Sequence, residues 1–76
     1  MPTFRISVVN AEFHASEEHE LESVEAARKE GIKAAIAMGA DEVNGGKPFF
    51  AAEVRVQDGG DIVSRAMVSV GASPLQ

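Results

Sequence analysis

The chain has no cysteine, no tryptophan and no tyrosine among its 76 residues. Without cysteine there are no disulfides and no thiolate metal ligands, two of the usual supports of a small domain. A single small domain of residues 1–76 buries little surface and gains only a few kcal/mol net from its core. Association is the remaining support, a first reason to expect an oligomer. Long apolar runs are also missing: nothing approaches the roughly eighteen apolar residues of a membrane span. The opening MPTFRISVVN has one basic residue and no long apolar stretch, unlike a signal peptide. The expectation is a soluble, cytoplasmic protein with no membrane partner.

Positive charge is scarce. Seven Lys and Arg stand against twelve Asp and Glu, giving a formal net charge of −5. That balance disfavours direct binding to nucleic acid or an anionic membrane. Four Phe, with no other aromatic, leave few side chains for base stacking. A hydrophobic content of 45% is ordinary for a globular chain and argues against wholesale disorder.

One segment carries sustained helical periodicity: SVEAARKEGIKAAIAMGADEV, from Ser23 to about Val43. Ser23 is a good N-cap, and Glu25 suits the positive end of the helix dipole. Val24, Ala27, Gly31, Ile32, Ala35, Ile36, Gly39 and Val43 form one stripe, while Glu25, Lys29, Glu30, Lys33 and Asp41 face water. The middle of the stripe is small, since Gly31, Ala35 and Gly39 recur every four residues. A helical Gly costs about 1 kcal/mol against Ala, so close approach of the helix to a sheet is the expected compensation. Asn44-Gly45-Gly46 ends the helix, with Gly45 expected in the left-handed conformation, and Pro48 prevents resumption.

Two strand pairs flank this helix. Phe4 to Val9 alternates, and a turn at Asn10-Ala11 pairs Val9 with Glu12, Val8 with Phe13 and Ile6 with Ala15. This register gathers Phe4, Ile6, Val8, Phe13 and Ala15 on one face. Ser16 to Glu22 reads as the end of the second strand and a connection, with Leu21 tucked under the helix start. Phe49 to Gln57 alternates again, and Asp58-Gly59-Gly60 is the strongest turn signal. A three-residue loop with Gly60 left-handed pairs Gln57 with Asp61 and Val56 with Ile62. Phe50, Ala52, Val54, Val56, Ile62, Ala66 and Val68 then share a face. The tail from about Ala72 to Gln76 is expected to fray. The fold class is therefore α+β: a β-β-α-β-β chain forming a four-stranded antiparallel sheet with one helix packed on one face. Strand order stays open.

With these elements placed, the chain resembles a family of short bacterial proteins of unknown function. MPTF, ELESVEAARKEGIKAA and AEVRVQDGGDIVSRAMVSV carry the likeness, which spans nearly the whole chain. Similar proteins usually have Asp-Gly in the first turn and a Gly before the pre-helix Leu, where Asn10-Ala11 and His19-Glu20 stand here. The resemblance implies no activity and no catalytic residues. A weaker similarity links the strand, strand, Glu-Ala-rich helix order to HicB-like antitoxin domains.

Few residues could carry chemistry. His14 and His19 with Glu17, Glu18 and Glu20 are the one cluster with metal-ligand character, but the spacing is not that of a helical pair. They read as surface side chains, with His14 on the outer face opposite Ser7. The serines lack an elbow motif, and the Gly pairs fit turns rather than phosphate-binding loops. A single helix on a sheet offers little cleft for paired carboxylates. The reading is non-enzymatic, with no catalytic residue, metal or cofactor. The outer sheet face is more informative. It gathers Arg5, Arg55 and Arg65 with Val9, Phe49, Ala51, Val63 and Met67, and sets Glu53 opposite Arg65. That mixture suits a protein interface formed by Val9, Phe49, Ala51, Arg55, Val63, Arg65 and Met67. The leading expectation is an interaction module that forms a homodimer through this face or a sheet edge. The second is an antitoxin-like or regulatory partner of another protein. The third is a small metal binder or enzyme using His14 and His19.

Overall fold

Strands β1 (Thr3–Val9) and β2 (His14–Glu20), helix α1 (Val24–Asn44), and strands β3 (Phe49–Asp58) and β4 (Asp61–Gly71) follow in chain order in a computed structural model that describes residues 1–75. The strands form one antiparallel sheet in the order β2-β1-β3-β4, so the expected α+β fold is borne out. The two hairpins join through β1 and β3, which places Val8 opposite Val54 and Ile6 opposite Val56. These two strands carry most of the buried apolar side chains, which is why they take the centre. Among the described residues no helix is long and apolar enough to cross a membrane.

The first hairpin differs from expectation by two residues. Val9 pairs with His14, Val8 with Ala15 and Ile6 with Glu17. Asn10 does not turn the chain through a positive φ; its side-chain Oδ1 accepts from the backbone N–H groups of Glu12 (2.8 Å) and Phe13 (3.1 Å). Asn10 thereby becomes the last paired residue, opposite Phe13, and the loop moves to Ala11-Glu12. A shift of two preserves the faces, so the apolar set expected on one side stays together. β2 also runs on to Glu20 instead of dissolving into a connection after Ser16.

The second hairpin closes with two residues, not three. Asp58 pairs with Asp61, and Gly59 adopts φ 63°, the first central position of a type II′ turn. Gln57 then faces Ile62, while Val56 faces Ser64, which makes Val63 the extra residue of a bulge. The bulge restores the face pattern for the rest of β4. Ile62, expected in the core, is 50% exposed.

α1 is capped as the sequence suggests at its start: Ser23 Oγ accepts from the Ala26 N–H at 3.1 Å. At its end Gly45 is right-handed (φ −79°), and Gly46 takes the positive φ of 113°. Ala27, Gly31, Ala35 and Gly39 are the buried line of the helix, whereas Ile36 is 50% exposed. The compensation expected for the glycines is visible. A Cβ on Gly31 would stand 2.5 Å from Val54 Cγ1, and one on Gly39 would stand 2.6 Å from Val70 Cγ2. The helix lies over β3 and β4, with a narrower contact on β1.

The core has two parts. One joins Val8, Ala35, Phe50, Ala52, Val54 and Val68, with Phe13 stacked on Phe50 at 6.4 Å between ring centroids. The other joins Phe4, Ile6, Ala27 and Val56, with Leu21 packed against it under the start of α1 as expected. After Gly71 the chain is exposed and without regular structure through Leu75, although the Ala72 N–H still donates to Pro48 O at 3.0 Å. The end of the expected frayed tail, Gln76, lies outside the described residues.

Candidate interaction site on the open sheet face

The face of the sheet opposite α1 is built from odd-numbered residues of β1 and β3, even-numbered residues of β2 and odd-numbered residues of β4, as the cross-strand register dictates. Three rows cross it. Glu18, Arg5 and Gln57 form the first; Ser16, Ser7, Arg55 and Arg65 the second; His14, Val9, Glu53 and Met67 the third. Ala51 with Ser69, and Phe49 with Gly71, continue the face toward its far end.

The register corrects one expected pair. Glu53 stands opposite Met67, not Arg65, and Arg65 stands opposite Arg55. The contact between Glu53 and Arg65 survives as a diagonal one: Arg65 Nε donates to Glu53 Oε2, and Arg55 Nε donates to Glu53 Oε1 at 2.7 Å. Hydrogen bonds from Arg65 and then Arg55 hold the Glu53 carboxyl below its ordinary range. Like charges directly opposite are destabilising, so one carboxylate shared by two guanidiniums is what permits this row. Arg5 pairs across strands with Glu18 at 3.1 Å. Ser7, the one buried polar side chain of the set, meets Ser16 Oγ at 2.7 Å.

Around these pairs the apolar side chains are open. Met67 is 70% exposed and Phe49 61%, while Val9 and Ala51 are half-buried. Val63 is exposed in the bulge. Val9, Phe49, Ala51, Arg55, Arg65 and Met67 therefore lie on the one expected surface, and Val63 lies at its edge. Their arrangement sets a charged band beside an apolar one.

The histidines do not come together. His14 occupies the outer face, opposite Val9 and not Ser7, and His19 lies on the helix side opposite Phe4. His19 Nε2 sits 3.3 Å from Glu17 Oε1. Among the described residues no three His, Asp or Glu side chains are grouped to hold a metal ion.

A second feature escaped the sequence. Because α1 does not reach over β2, a groove of about 310 Å³ opens between them, floored by Ile6, Val8 and Ala15 and walled by Ala34 and Met38. The available signal was the acidic, apolar-poor run of β2, HASEEHE, which offers a helix nothing to bury.

A single helix on one face of a four-stranded sheet, with the other face open, defines a small two-layer α+β domain. The chain belongs to the family described as a domain of unknown function, DUF6894, whose model matches residues 3–69. The resemblance to a family without assigned activity is thus borne out, and nothing in the match extends to HicB-like antitoxins. No curated protein and no solved structure matches the chain.

Proposed function

We propose that the domain is a non-enzymatic interaction module that self-associates through its sheet, with the open face as the centre of contact. The observation that carries this reading is the exposure of Phe49 and Met67 beside two arginines held in place by Glu53. Aromatic residues, Met and Arg are the types enriched at protein interfaces, and pre-placed guanidiniums lose less freedom on binding. The occupied carboxylate partners, together with the net charge of −5, favour a protein over nucleic acid or a membrane on this face. The reading places the module in the cytoplasm.

Light scattering on a sizing column tests it. The wild-type chain should run at twice its mass and keep that mass at high salt, because apolar contacts are not screened. Met67→Glu should give a folded monomer. A wild-type monomer, or a Met67→Glu variant that stays dimeric, would remove this face from the contact.

A further inference from the structure

We infer that the free edge of β4 pairs with β4 of a second copy, joining two four-stranded sheets into one continuous antiparallel sheet. The inference rests on the self-association proposed above but seats the contact on the strand edge, with the two open faces side by side instead of pressed together.

The direction of backbone hydrogen bonding alternates along an antiparallel strand. The Ala72 N–H donates to Pro48 O at 3.0 Å, which fixes the phase of the β3–β4 ladder. Even-numbered residues from Ser64 to Val70 therefore turn their N–H and C=O groups toward β3. Arg65, Met67, Ser69 and Gly71 turn theirs to the open edge. On the far edge, Asn10 N–H to Phe13 O and Leu21 N–H to Pro2 O, both 3.0 Å, fix the β1–β2 phase. The outward backbone row there belongs to His14, Ser16, Glu18 and Glu20.

The two edges differ in protection. Pairing β2 with its own copy gathers Glu17, Glu18 and Glu20 of both strands along one seam, and charged edge residues are a standard way of blocking edge association. β4 has no such guard. AMVSVG, from Ala66 to Gly71, contains no charge and no proline. The bulge lies at the other end of the strand, beside Ile62 and Val63, so Ser64 to Gly71 keep regular pairing with β3. A regular edge whose one charge, Arg65, is already bonded to Glu53 is a template for another strand.

A second copy fits this template. A two-fold axis at Met67 sets Met67 beside its own equivalent on the open face and Arg65 opposite Ser69 of the other copy, which keeps the arginines apart. Such an axis stands perpendicular to the sheet. Both helices then remain on one side, and the two open faces merge into one.

Amide hydrogen exchange followed by NMR reads the outward N–H groups directly. At concentrations where the chain is dimeric, the Met67 and Ser69 amides should exchange at least about 100-fold more slowly than unprotected amides. Ser16 and Glu18, outward on β2, should exchange freely. Ser69→Pro removes an outward donor without touching β3 and should give a monomer with an unchanged circular dichroism spectrum. Ser69→Ala should remain dimeric. A dimer whose Met67 and Ser69 amides exchange freely overturns the edge pairing and leaves the open-face contact standing. A monomeric wild type overturns both. Protection of outward amides on both β4 and β2, with mass growing in an open series, overturns the two-fold pairing in favour of head-to-tail addition. The exchange measurement decides even if Ser69→Pro does not fold.

Discussion

Arg55 and Arg65 face each other directly across β3 and β4, and each donates its Nε to the same Glu53 carboxylate. The stability of this row therefore depends on one acidic side chain. Glu53→Gln should lower the melting temperature, and combining it with Arg65→Ala should cost less than the two single losses added, because the second change removes the repulsion the first exposes. Thermal unfolding of the four chains of this double-mutant cycle checks the prediction.

The same carboxylate predicts an acid response. Its pKa in the folded protein is below that of the unfolded chain, so the stabilisation is present above the ordinary carboxylate value and is lost as pH falls through the folded value. The melting-temperature gap between wild type and Glu53→Gln should be widest near neutrality and should close as the solution is acidified below the usual carboxylate range. A gap that stays constant through that range and below it would mean Glu53 titrates normally.

Lys47 predicts the opposite limb. It bridges Glu42 at 3.1 Å and Glu12 at 3.2 Å, tying the first hairpin's loop to the end of α1. Hydrogen bonds to Glu42, then to Glu12, raise its pKa. This contribution is complete below the ordinary lysine value and is lost as pH rises through the raised one. Lys47→Met should remove that alkaline loss, visible as a flatter dependence of melting temperature on pH above the ordinary lysine range.

Gly31→Ala sets helix propensity against packing. Alanine improves the helix by about 1 kcal/mol, but its Cβ would stand 2.5 Å from Val54 Cγ1 and 2.9 Å from Ile6 Cγ2. Overpacking of this kind costs about 1–3 kcal/mol, so a net loss of about 1 kcal/mol is expected, or roughly 4–8 °C in melting temperature. Urea unfolding measures it. A stabilised variant would mean that the helix can lift from the sheet without penalty.

Ser23→Ala removes the oxygen that accepts from the Ala26 N–H. It should cost about 1 kcal/mol, readable as a lower urea midpoint with an unchanged slope.

The helix, its start and the faces of the strands were legible because each rests on a local period or a local cap. The loop of the second hairpin was not. A three-residue loop and a two-residue loop followed by a one-residue bulge put the same side chains on the same face from Ser64 onward. Apolar patterning cannot separate them, and the choice moved Arg65 from Glu53 to Arg55. The first hairpin failed for a related reason: a two-residue slip keeps every face, and what fixed the register was the Asn10 side chain binding the backbone of its own loop. β2 was underread because an edge strand outside the helix's cover needs no apolar alternation. Except for Val63, which falls in the bulge, the expected outer-face residues follow from parity alone and survive both shifts, whereas the groove beside β2 depends on how far the helix reaches across the sheet.

The junction of β1 with β3 gives the chain a particular route to its native state. Each hairpin closes over a two-residue loop, whereas the pairing of Val8 with Val54 joins segments that α1 separates in the chain. Fast local events thus precede one slow, distant closure. Until that closure, each hairpin presents a bare inner edge suited to the complementary hairpin of any copy of the chain, so nascent chains at high concentration can trade halves before completing their own.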